Sequence, residues 1–112
     1  MNPIKLALQY MDTVFYEKDL DKLRPLLADA FIFEGPFFSF NTAAAYINSL
    51  KADPPAEFKY EILRSWEDNH GVCLIYRFAK PGISTLMSQW FEVEEGKITK
   101  TLLIFDSGVF SN

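Results

Sequence analysis

A chain of 112 residues, 49% hydrophobic and 23% charged, suffices for one core but not two, and its balance is that of a folded globular chain rather than a disordered one. Fifteen acidic against eleven basic residues leave a net charge of -4, with no basic run to neutralise phosphates, so neither nucleic acid nor an anionic membrane is an expected partner. The longest apolar runs, Val72 to Tyr76 and Leu102 to Phe105, fall far short of the ~20 residues of a spanning helix. Met1 to Asp12 lacks the apolar block of a signal peptide, and one cysteine permits no internal disulfide, so a cytoplasmic home is expected.

In chain order, Ile4, Ala7, Leu8, Met11, Val14 and Phe15 recur at three- and four-residue steps and predict an amphipathic helix to about Lys18, with Lys5, Gln9, Asp12 and Tyr16 facing water. Asp19 is a candidate N-cap for a second short helix carrying Leu20, Leu23 and Leu27, in which Pro25 predicts a kink or break. Ala30 to Glu34 reads as a short strand ending at Gly35-Pro36. Asn41 or Thr42 then caps a third helix with Ala44, Ile47 and Leu50 inward, stopped by Asp53-Pro54-Pro55. From Glu57 the apolar period becomes 2. Phe58, Tyr60, Ile62 and Trp66 alternate with Lys59, Glu61, Ser65 and Glu67, which predicts a half-buried strand. Turns at Asn69-His70-Gly71, Pro81-Gly82 and Glu95-Gly96 separate three more strands, Val72 to Ala79, Ser84 to Val93 and Ile98 to Asp106, which complete an antiparallel meander. The last strands are apolar on both faces, with Leu86, Trp90, Leu102 and Ile104 opposite Met87, Phe91, Leu103 and Phe105. One face serves the core, and the other predicts a homodimer through the outer sheet.

Asp19-Leu20-Asp21-Lys22-Leu23, Leu27-Ala28-Asp29, Phe31 to Pro36, Phe91 to Ile98 and Phe105-Asp106 stand in the order and spacing of the nuclear transport factor 2-like superfamily, and the whole chain resembles its SnoaL-like group. The resemblance implies an α+β fold: one SnoaL-like domain over residues 1–112, with three N-terminal helices packed on a strongly curved antiparallel sheet to form a cone with an apolar pocket. Many members dimerise through the outer sheet face. Members include isomerases, epoxide hydrolases, cyclases and dehydratases as well as proteins that only bind, so the fold does not choose a function. Carried over by the turn proline, the carboxylate base of the ketosteroid isomerases falls at Gly35, and their oxyanion aspartate falls near Met87, while Tyr10 falls close to their tyrosine. The Arg-x-Asp motif of limonene epoxide hydrolase reads Arg77-Phe78-Ala79 here, and its last-strand Asp falls at Leu103. Neither chemistry is therefore expected.

Glu34 is the candidate acid or base, because Phe31, Phe33, Phe37 and Phe38 surround it in sequence and desolvation would raise its pKa. Strict alternation with Phe31 and Phe33 points it outward instead. Asp106 reads as a cap at a strand end, His70 as an exposed turn residue, and Cys73 as a small buried hydrophobe. No metal-ligand spacing and no glycine-rich phosphate loop occurs, so neither metal nor cofactor is expected. The parity that the resemblance implies lines the cone with Phe33, Tyr76, Phe78, Met87, Gln89, Phe91, Thr101, Leu103 and Phe105, with Tyr10 reaching in from the first helix and Gln89, Thr101 and Tyr10 as polar handles. Such a lining suits a flat apolar or aromatic small molecule. The alternatives are a cofactor-free isomerase, cyclase or hydratase using Glu34 with Tyr10 or Gln89, and a non-catalytic dimerising module presenting its outer sheet or Phe37-Phe38-Ser39-Phe40 to another protein.

Overall fold

The computed structural model describes residues 2–110. The ends of the expected domain, residues 1, 111 and 112, lie outside them. Helix α1 spans Pro3–Phe15, started by an Asn2 side chain that accepts the Lys5 N–H and by Pro3, whose missing donor does no harm in a first turn. It stops three residues before the expected Lys18, at a C-cap Tyr16. The Tyr16 hydroxyl accepts the Tyr60 N–H at 3.1 Å and donates to the Tyr60 carbonyl, so it occupies the hydrogen-bonding groups of a neighbouring strand. Asp19 caps as expected, but Leu20–Leu26 is a 3-10 helix throughout rather than an α-helix broken at Pro25. A run of tight turns accommodates a missing N–H that would interrupt α bonding.

Strand β1 (Leu27–Glu34) is followed by a two-residue β2 (Ser39–Phe40) and helix α2 (Ala43–Ala52), with Thr42 capping the Ala45 N–H. That cap fixes the helix phase differently from the expectation. Ala43, Tyr46 and Ile47 are buried, and Ala44 faces water. Four strands then form the meander, β3 (Lys59–Glu67), β4 (Gly71–Lys80), β5 (Ile83–Glu94) and β6 (Lys97–Phe105), closed by a short 3-10 turn at Ser107–Phe110. The sheet order is β2-β1-β6-β5-β4-β3, with β1 parallel to β6 and every other pairing antiparallel. The hairpin between β5 and β6 turns on Glu95 and Gly96, both with positive φ, which a two-residue turn requires.

Irregularities bend this sheet. The register of β3 on β4 slips between Ile62 and Arg64, and that of β5 on β6 slips between Glu92 and Val93, where β6 carries the extra Thr99. A bulge adds a residue to one strand, curves it and reverses the facing of all that follows. Trp66 is therefore not on the half-buried face of Tyr60 and Ile62. It pairs with Cys73 on the convex side and is 54% exposed. Cys73, expected to be buried, is half-buried on the same side, within 3.8 Å of the Ser88 hydroxyl. The concave side carries the core, in which Leu6, Met11, Leu23, Phe31, Leu74, Phe91 and Ile98 are all shut away from solvent.

Gly71 begins β4 where two strands and an indole converge. A Cβ built there would lie 2.2 Å from the Phe91 carbonyl oxygen and 2.7 Å from the Trp90 ring. Backbone cannot yield as a flexible side chain does, so Gly71→Ala is expected to lower unfolding free energy by about 1–3 kcal/mol. Equilibrium urea denaturation of the two proteins checks this, and unchanged midpoints would contradict the packing described.

Candidate functional site

The helices do not fill the bend. Between α1, α2, the Phe37-Phe38 loop, the Ser107–Phe110 turn and the concave sheet lies a cavity of about 510 Å3, open at one end. Its walls come from alternate residues of the meander: Tyr76 and Phe78 on β4, Met87 and Gln89 on β5, Leu103 and Phe105 on β6. Phe33 of β1 and Tyr10 of α1 close the inner end. These are eight of the ten lining residues expected from the sequence. The other two, Phe91 and Thr101, are fully buried behind the wall rather than on it. Phe91 packs edge-on against the Tyr10 ring at 5.1 Å, and Thr101 holds the amide that does face the cavity.

That amide belongs to Gln89, 3% exposed in an otherwise apolar wall. A buried amide needs all its partners. The Tyr76 hydroxyl donates to Gln89 Oε1 at 2.8 Å, Gln89 Nε2 donates to Thr101 Oγ1 at 2.9 Å, and the Thr101 hydroxyl donates to the Trp90 carbonyl at 2.9 Å. The row runs across β4, β5 and β6 and fixes the Gln89 side chain. Beside it, the Tyr10 and Tyr46 hydroxyls share a short hydrogen bond. Two hydroxyls bring two protons, of which one lies between the oxygens. Among the described residues neither hydroxyl has another acceptor, and both side chains line the cavity. One O–H is thus left for whatever enters.

Burial sets the chemistry of this cluster. It pushes the Tyr10 phenol up to about 12, offset in part by the neighbouring Tyr46 hydroxyl and Gln89 amide, and raises Tyr46 and Tyr76 as well, Tyr46 lifted further by Tyr10 and Tyr76 and Tyr76 by Tyr10. The three are neutral at physiological pH and act as hydrogen-bond donors rather than bases. Since their folded-state pKa values lie above 10.0, the unfolded chain ionises first. The stability they contribute is present below pH 10 and is lost as pH rises towards about 12. Thermal melts across that window should show a falling Tm, less steep in Tyr46→Phe. A tyrosinate absorbance that appears in full before unfolding would contradict the burial.

The charged candidates lie elsewhere. Glu34 takes the outward phase of β1, opposite Leu102, and its half-exposed carboxylate sits 3.9 Å from Lys100. It does not line the cavity, and the phenylalanines beside it in sequence do not desolvate it. Arg77 is likewise on the convex side, near Ser84, and His70 is an exposed turn residue. Asp106 caps the last turn by accepting the Gly108 N–H. Gly35 and Met87, onto which the resemblance carries the isomerase carboxylates, both line the cavity, and neither has an acidic group. Among the described residues no cluster of His, Cys, Asp and Glu could hold a metal ion.

Tyr46 is not among the expected lining residues, since an inward Ala44 turns it away, whereas the steps Ala43, Tyr46, Ile47, Leu50 mark the face that packs inward. Its ring stacks on Phe33 at 5.0 Å. Phe58, Lys80 and Phe110 complete the mouth, and Phe37 joins them through Phe105 and Phe110 at 5.5 and 5.9 Å. Phe37 and Phe38 of the aromatic loop line the cavity while staying more than half exposed, and its Ser39 and Phe40 pair with β1 as a strand.

Residues 7–101 match the SnoaL-like domain family. An NTF2-like protein of unknown function from Cytophaga hutchinsonii superposes with a TM-score of 0.83 at 25% identity, over 97% of this chain and 94% of that one. An LEH-like epoxide hydrolase from M. tuberculosis gives 0.79 at 20% identity, over 95% and 84%. A de novo designed protein with a curved β-sheet gives 0.72 at 15% identity, over 96% and 90%. No curated protein matches the sequence. The family match spans most of the chain, so the chain belongs to the SnoaL-like family.

Proposed function

We propose that this SnoaL-like protein binds a flat, apolar small molecule carrying a hydrogen-bond acceptor, seated in the cone with that acceptor against the Tyr10–Tyr46 hydroxyls. The observation that carries the reading is the pairing of apolar walls with a fixed hydroxyl and amide cluster that retains one O–H unspent. Apolar contact supplies affinity, at ~25 cal/mol per Å2 removed from water, and the cluster supplies orientation. An isomerase, cyclase or hydratase would need a proton acceptor beside the ligand. Asp53 and Lys80 are the charged residues among those lining the cavity, and the exposed Asp53 follows the end of α2. Binding without turnover is the better fit. Isothermal titration with planar aromatic ketones and their deoxygenated hydrocarbons is the test. Wild type should favour the ketone about tenfold, and the Tyr10→Phe, Tyr46→Phe double variant should lose that preference while remaining folded. Equal binding of both by wild type would overturn the assignment of the cluster.

The convex face supports a second element of the proposal, a homodimer. Leu86, Ile104 and Trp66 are 51%, 58% and 54% exposed, and the register sets Leu86 beside Arg77, Ile104 beside Ser88, and Trp66, Cys73, Trp90 and Leu102 in one row across the sheet next to Ile104. A patch of this kind on both copies is self-complementary under a two-fold axis, and water is a poor solvent for it. Sedimentation velocity at micromolar concentration should give a dimer, and Ile104→Glu, which would bury an unpaired charge, should give a monomer with an intact melt. A wild-type monomer at high micromolar concentration would refute it.

A further inference from the structure

Lys80 breaks the pattern of its strand. Along β4 the concave face takes Val72, Leu74, Tyr76 and Phe78, all buried, and the next residue of that phase is Lys80. It is half-buried at the cavity mouth, among the lining residues, with its ammonium 5.9 Å from the Phe58 ring centre and 5.5 Å from that of Phe110. The rings hold the charge at the rim instead of releasing it to water. Among the described residues no carboxylate lies within ion-pair distance of it. Asp53, the other charged lining residue, is exposed and solvated, where an ionic contact contributes little.

We infer that the occupant is an amphipathic monoanion, with a flat apolar body, an acceptor at its inner end and a carboxylate at its outer end met by Lys80. The inference rests on the cavity reading above and adds the chemical class. Strand geometry sets the length. Tyr76, whose hydroxyl joins the inner cluster, and Lys80, at the mouth, are four residues apart on one strand, about 13 Å. That suits two linked or fused aromatic rings with a polar group at each end. A neutral ligand would leave the ammonium facing apolar surface, and a cation would meet it directly.

The test uses a para-acetyl biphenyl carboxylate, with its ketone at one end and its carboxylate at the other, against the methyl ester of the same compound. Wild type should bind the acid about tenfold more tightly than the ester, since a hydrogen-bonded charge at a partly desolvated rim is worth about that factor. Lys80→Met should erase the difference by weakening the acid and sparing the ester, while Lys80→Arg should keep it. Asp53→Asn, by removing the opposing charge, should strengthen the acid about twofold. Equal binding of acid and ester in wild type, or an unchanged preference in Lys80→Met, overturns the inference and leaves the cavity reading intact. Failure of both compounds, together with the planar ketones used for that reading, removes the two together.

Discussion

Everything in this protein that could meet a ligand depends on the bend of the sheet. A regular meander would let a helix settle along its whole length and would close the core. Here the extra residues at Leu63 and Thr99 curl β3 and β6, and a cavity remains between α1, α2 and the concave surface. Where sheet and helix diverge, side chains of ordinary size do not reach across. The cavity is thus a consequence of backbone register before it is a matter of side-chain choice. The designed curved-sheet protein that shares the fold is in keeping with this, since curvature alone specifies neither ligand nor chemistry.

The polar row across the cavity wall is the second constraint, and it follows from the first. An open cone admits water, and water tolerates an amide. Once inside, however, Gln89 is held by Tyr76 and Thr101 in one orientation, and no buried side-chain polar atom among the described residues lacks a partner. Satisfaction of this kind makes the wall rigid. The Tyr10–Tyr46 pair sits at its edge, with rings 6.3 Å apart and nearly parallel. Rigidity there would present the proposed ligand with a donor already aimed, at a smaller ordering cost on binding.

The boundaries of β3 to β6 to within a residue or two were legible from alternation and turn residues, and the facing of β4, β5 and most of β6 from the parity that the family resemblance implies, whereas β1 begins three residues before the expected Ala30 and β2 has no counterpart in the expectation. Met87, Gln89, Leu103 and Phe105 fall where parity sends them. What escaped lies at irregularities. Strict alternation from Leu103 would send Ile98 outward, yet the bulge at Thr99 returns it to full burial. The Leu63 bulge does the reverse to Trp66. No composition signal marks either position, because bulges are settled by the fit of whole strands. Tyr46 was lost for a simpler reason: in a run of three alanines the helix phase is nearly silent, and the Thr42 cap decides it. Glu34 shows the opposite case, in which alternation gave the right answer and its aromatic neighbours in sequence suggested a wrong environment.

The Tyr16 hydroxyl, which takes up both backbone groups of Tyr60, has a bearing on aggregation. Edge strands are templates on which further chains can add, and β3 is an edge of nine residues. Tyr16 occupies one rung of it, and the bulge twists the rest out of register for a flat partner. The opposite edge, β2, is only two residues long. Continuous sheet growth is therefore obstructed at both ends. A chain with eleven phenylalanines and exposed isoleucine and tryptophan on its convex face can thereby carry so much apolar surface with little risk of polymerising strand by strand into fibrils.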